Sequence, residues 1–151
     1  MIKKDPLVKE LVKLYKKKLE KIKDNGNYKK VSKFTGSILA GLEFQLTLTP
    51  KNLKNLPEDD FILGYIWGFT DASFQNLIGK DLDYWSIVSY WVYDNIYGPK
   101  ISNLILQKIR FFNSDQEFIK GTKNGILDAH EGLLKSQSFT RLAEYVTKNY
   151  T

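Results

Sequence analysis

The hydrophobic pattern of the chain follows the helical period over most of its length. Val8, Leu11, Val12, Tyr15, Leu19 and Ile22 fall on one stripe of a helix over residues 6–23, with Asp5 as its cap and Pro6 in its first turn. Lysines take the opposite side, and Asn25-Gly26-Asn27 ends the segment. A second helix runs from about Tyr28 to the mid-40s, placing Phe34, Ile38, Leu42 and Gln45 on a shared face. Leu42, Phe44, Leu46 and Leu48 alternate with the strand period instead. No partner strand follows, and a lone strand leaves its backbone unsatisfied, so the pattern favours helix over 42–48.

Thr49-Pro50 and Leu56-Pro57 mark two further helix starts, the second followed by Glu58, Asp59 and Asp60, which complement a helix dipole. That helix ends near Gly79. The next, capped by Asp81 or Asp83, runs to Tyr97-Gly98-Pro99, and another covers roughly 100–112. Asn113 or Ser114 starts a helix reaching about Lys135, and Ser138 starts the last. The pattern predicts an all-α single-domain helical bundle of about seven helices over residues 1–151.

Two of these helices share a motif. Residues 61–72 read FILGYIWGFTDA and residues 118–129 read FIKGTKNGILDA. Phe, Ile, Gly, Gly, Asp and Ala recur in the same order and spacing, Phe61 matching Phe118 and Ala72 matching Ala129. Acids precede each copy, and a capped aromatic helix start follows each, Asp83-Tyr84 and Ser138-Phe139. This predicts an internally duplicated GxxxGxxDA helical hairpin, with related units at about 57–98 and 114–150. Gly64, Gly68, Asp71 and Ala72 share one helix face, as do Gly121, Gly125, Asp128, Ala129 and Gly132. Each glycine costs about 1 kcal/mol of helix propensity relative to alanine, a loss normally offset by close backbone approach. The two motif helices are therefore expected to pack against each other, or each against its hairpin partner.

Asp71 and Asp128 end these faces. A carboxylate at a close contact needs partners: a helix N-terminus or hydroxyl, a second carboxylate sharing a metal or a proton, or a basic group on another protein. His130, the only histidine, sits in Asp128-Ala129-His130-Glu131 and is a candidate binding residue with Glu131. The aromatic stretch from Tyr84 to Tyr97, in which Tyr90, Tyr93 and Tyr97 form one stripe and Trp91 belongs to another, reads as a central core helix or as a contact surface or ligand groove.

Composition narrows the chemistry. With no cysteine and one histidine among 151 residues, a disulfide framework, a thiol nucleophile and a multi-ligand zinc site are excluded. There is no phosphate-cradling glycine loop and no nucleophile elbow. No cofactor and no metal is expected, and the balance favours a non-catalytic protein over an enzyme. The net charge of +6 is uneven, +8 over residues 1–33 and −2 over the rest. A Lys-rich segment of this kind meets nucleic acid or forms a solvated helix face. The longest uncharged runs are ten residues, against about 20 for a membrane span, and the N-terminus lacks a signal-peptide core. These features suit a cytoplasmic protein without a membrane span.

FILGYIWGFTDASF is similar to the helix motif of LAGLIDADG homing endonucleases, which implies paired helices whose terminal acids bind metal for DNA cleavage, followed by long β-strands. A second resemblance covers about residues 61–109. GYIWGFTDA, Gly79, YWSIVSYWVY and ISNLILQKI resemble the Tai/Rap-type helical immunity proteins of type VI secretion. It implies a small helical protein that binds and blocks a toxic amidase. That family carries a signal peptide and disulfide cysteines, which this chain lacks. The function expected is protein–protein binding of an immunity or inhibitor type. The alternatives are a small-molecule or divalent-metal site between the repeats, or a basic nucleic-acid-associated helical protein.

Overall fold

The computed structural model describes residues 28–47, 49–78, 82–98, 115–134 and 141–150, together with Lys13, Lys17, Glu20 and Ser102. It is helical throughout these residues: α1 (Tyr28–Leu46), α2 (Asp60–Ile78), α3 (Leu82–Tyr97), α4 (Gln116–Leu134) and α5 (Arg141–Tyr150), with a short 3-10 turn at Leu53–Asn55. No helix among the described residues is long and apolar enough to cross a membrane.

The all-α expectation stands, and residues 42–46 are helical. The count does not reach seven among the described residues. The helices expected over 6–23 and 100–112 fall outside them apart from Lys13, Lys17, Glu20 and Ser102, each helical. The nucleic-acid role assigned to residues 1–33 therefore falls largely outside the described residues too. The β-strands that a LAGLIDADG endonuclease requires are not present among the described residues.

Each helix follows from its side chains. Val31, Thr35, Ile38, Leu42, Gln45 and Leu46 are the buried face of α1, while Phe34 is half-buried. The helix α2 is central: Phe61, Ile62, Leu63, Tyr65, Ile66, Phe69, Phe74 and both its glycines are buried, which requires partners on more than one side. Asp59 caps it, its Oδ1 accepting the Ile62 N–H at 2.8 Å. Asp115 caps α4 in the same way, accepting the Phe118 N–H at 3.0 Å. These carboxylates reach free N–H groups of the first turn, so Asp115 has the role expected of Asn113 or Ser114. Asp83 lies inside α3, while Asp81 and Ser138, the other expected helix starts, lie outside the described residues. The helix α3 ends as expected: Gly98 adopts φ +87 and its N–H bonds the Asp94 carbonyl at 2.9 Å.

The motif helices meet backbone to backbone. A Cβ built on Gly64 would lie 2.1 Å from the Phe118 carbonyl oxygen, and one on Gly68 2.1 Å from that of Thr122. Reciprocally, Gly121 would meet the Phe61 oxygen at 2.0 Å and Gly125 the Tyr65 oxygen at 2.2 Å. Ascending residues pair with ascending residues, so α2 and α4 run parallel, and each contact has a counterpart at the matching positions of the other copy. The pair has a local two-fold relation at this seam, the arrangement that places Cα–H groups against carbonyl oxygens. The expected duplication of a whole hairpin is not supported. The caps are out of step with the motif, because the position matching Asp115 is Glu58 and not Asp59.

Candidate functional site

The seam delivers Asp128 into the interior, and the structure shows what it touches. Asp128 is fully buried. Its Oδ2 accepts the Tyr65 hydroxyl at 2.5 Å and the Arg141 backbone N–H at 3.2 Å, and its Oδ1 accepts the Arg141 guanidinium at 2.6 Å. The same guanidinium engages Glu131, one turn on, through Nη1 at 2.8 Å and Nη2 at 3.1 Å. Glu131 and, next to it, Asp128 raise the Arg141 pKa further above its ordinary range, so the guanidinium stays charged. Asp128 thus binds the first residue of α5 through both its backbone and its side chain, satisfying an N-terminal N–H that the helix cannot satisfy itself.

The Tyr65 oxygen also lies 2.7 Å from the Gln45 side-chain amide. A phenol has one proton, and the charged Asp128 acceptor at 2.5 Å takes it. The Gln45 amide nitrogen is buried without a partner in the orientation placing its oxygen toward Tyr65. Rotating the amide half a turn lets Nε2 donate to the phenol oxygen. The chain Gln45–Tyr65–Asp128–Arg141–Glu131 then ties α1, α2, α4 and α5 together.

A second carboxylate anchors the other end of α5. Asp59 Oδ2 accepts the hydroxyls of Tyr145, at 2.7 Å, and Tyr150. Tyr145 also stacks on Phe61, ring centres 4.0 Å apart at 18°. The helix α5 therefore straps the parallel pair from the Asp128 end of α4 back to the start of α2.

The sequence-predicted residues do not converge. Asp71 is half-buried and accepts from Gln75 Nε2 at 3.0 Å, while its counterpart Asp128 is fully buried. His130 is exposed, on the opposite side of α4 from Asp128. Tyr93 is core, its hydroxyl donating to the Leu63 carbonyl at 2.7 Å, and Tyr97 donates to the Pro57 carbonyl at 3.0 Å. Tyr90 and Trp91 are half-buried. Among the described residues no group of three or more His, Cys, Asp or Glu is placed to hold a metal ion. The sequence reading missed Tyr65, Gln45, Arg141, Tyr145 and Tyr150. One signal was present: Arg141 is one of two arginines among 23 basic residues, and arginine is the residue suited to a two-carboxylate grip.

The buried phenols set an alkaline response. Burial, and then Asp128, push the Tyr65 phenol well above its ordinary value, burial does the same for Tyr93, and burial with the Asp59 hydrogen bond pushes Tyr150 to about 12. A raised folded-state pKa contributes stability that is complete below the unfolded value of about 10 and is lost as pH rises through the folded value. Stability should therefore be flat up to about pH 10 for these groups and fall between about 10 and 12. Tyrosinate absorbance followed with helix content should show Tyr65 and Tyr93 ionising together with unfolding.

No family model, characterised protein or solved structure matches the chain.

Proposed function

We propose that the chain is a non-catalytic protein-binding module, of the kind that holds or blocks a protein partner as immunity proteins do. One observation carries this reading: the groups on which a reaction centre would draw are bonded to one another. Asp128 is 0% exposed at its side chain and bridged by Arg141 to Glu131, with Tyr65 on its remaining side. A carboxylate filled in this way anchors a helix and has no reach to a substrate. The surface offers contact chemistry instead. Phe44 is 67% and Leu127 47% exposed, and Trp67, Tyr90 and Trp91 are half-buried. Aromatic and large apolar residues at such boundaries carry most of the energy of protein interfaces. The resemblance to helical immunity proteins points to the same role, and a cytoplasmic setting suits the cysteine-free composition.

The test is calorimetric binding of the purified chain to candidate partners, amidase toxins first. A one-to-one complex is expected. Phe44→Asp and Leu127→Asp, both at exposed positions, should leave the melting temperature unchanged, and at least one should weaken the complex about tenfold or more. A chain that binds none of the candidates would contradict the proposal.

A further inference from the structure

The two acids that hold α5 divide their bonds between the helix pair and the strap. Asp59 Oδ1 accepts the Ile62 N–H of α2 at 2.8 Å, while its Oδ2 accepts the α5 hydroxyls of Tyr145, at 2.7 Å, and Tyr150. Asp128 accepts the Tyr65 hydroxyl of α2 at 2.5 Å, and from α5 the Arg141 N–H at 3.2 Å and guanidinium at 2.6 Å. Lifting α5 away therefore strips neither acid. Asp59 keeps its cap, Asp128 keeps a phenol, and each meets water where α5 had been. The large penalty for stranding a buried, unpaired charge does not arise.

The strap has little besides these latches to hold it. It is 10 residues long, below the roughly 12–15 at which an isolated helix is even marginal in water. Its buried residues are Leu142 and Val146, and Tyr145 adds the stack on Phe61. Glu144, Lys148 and Asn149 on its outer side are exposed. The pair beneath is built differently. The helices α2 and α4 have 19 residues each and meet backbone to backbone at four glycines, and α2 alone buries Ile62, Tyr65, Ile66, Phe69 and Phe74. Free energies of local opening follow such differences in burial.

We propose that α5 is a releasable strap, latched at Asp59 and Asp128, that opens as one unit while α1, α2 and α4 stay folded. Its release uncovers Phe61 and both carboxylates along the path that α5 covers. Opening as a unit follows from its length: once one latch lets go, the helix that remains is too short to keep its form and hold the other latch.

Native-state hydrogen exchange of the full-length chain in low urea, read amide by amide, tests this. The Arg141, Tyr145 and Val146 amides report α5, and the slowest amides of α2 and α4 report global unfolding. Protection in α5 should be about tenfold lower or more, with a weaker urea dependence shared by its three amides, because less surface is exposed. Two variants separate the units. Gly36→Ala, where a Cβ meets nothing within 4 Å, stabilises the closed and strap-open forms alike against the unfolded chain. It should slow exchange in α2 and α4 by about two- to fivefold and leave α5 unchanged. Tyr150→Phe removes a hydroxyl from the Asp59 latch alone. It should speed the Arg141 amide at the other latch, together with Tyr145 and Val146, by about tenfold. Amides of α5 with the protection and urea dependence of α2 and α4 would mean that α5 leaves only with the whole fold, which overturns the proposal. Acceleration in Tyr150→Phe confined to residues beyond Val146 would mean fraying of one end and overturns it too, as would a slowing in Gly36→Ala that reaches α5 equally.

Discussion

Replacing Gly121 with alanine is expected to destabilise the fold by about 3 kcal/mol or more, the upper end of overpacking penalties. Helix propensity alone argues the other way, favouring alanine by about 1 kcal/mol. The reversal comes from the Phe61 carbonyl oxygen, 2.0 Å from where the new Cβ would sit, with the Tyr65 nitrogen at 2.8 Å. Both atoms are backbone, so no rotamer change relieves the clash, and the two helices must separate along their length. Gly64, Gly68 and Gly125 face equivalent atoms at 2.1–2.2 Å and should behave alike. The control is Gly36, where a Cβ would meet nothing within 4 Å. Gly36→Ala should stabilise the chain by about 0.5–1 kcal/mol. Urea unfolding of the five variants checks both signs at once.

The second large effect is at Asp128. Asp128→Ala should cost about 3 kcal/mol, because it strands a buried hydroxyl and removes one acceptor from Arg141, which is 29% exposed and keeps Glu131. The Tyr65 hydroxyl would lose its acceptor in the interior, and α5 would lose both its N-terminal acceptor and one side of its arginine grip. Asp71→Ala should change stability by less than about 0.5 kcal/mol, since Asp71 is half-buried with one bond to an exposed glutamine. A double-mutant cycle of Asp128→Asn with Tyr65→Phe should show a coupling of about 1 kcal/mol. Independent effects at these two residues would mean that the phenol and the carboxylate do not share a bond.

The contrast between the two aspartates marks how far the sequence could be read. Periodicity gave the all-α class and the helix over 28–46, because one wide apolar face is enough to define a helix against strand alternation. The glycine spacing correctly raised the pairing of the two motif helices, since four glycines in two helices need a reason and close approach is the common one. A helix N-terminus and a hydroxyl were among the partners expected of these carboxylates, and Asp128 has both, but the different fates of Asp71 and Asp128 were not legible. They depend on Tyr65, Thr122, Glu131 and Arg141, whose relation to the motif exists only after the helices are paired. The strap role of α5 was hidden for the same reason: Tyr145 and Tyr150 meet Asp59 across 86 and 91 residues. The stripe of Tyr90, Tyr93 and Tyr97 read as core or as contact surface, and Tyr93 is core, buried and bonded to α2. A tyrosine stripe serves a core as readily as an interface when backbone carbonyls lie within reach of its hydroxyls.

The central claim is that the GxxxGxxDA helices form a parallel, backbone-to-backbone seam whose buried aspartate is an anchor rather than a reaction centre. Proton–proton contacts in the labelled chain test it most directly. The account predicts reciprocal cross-helix contacts from the α-protons of Gly64 and Gly68 to Phe118 and Thr122, and from those of Gly121 and Gly125 to Phe61 and Tyr65. Glycine α-protons that show contacts only within their own helix, in a chain that is otherwise folded and helical, would contradict it.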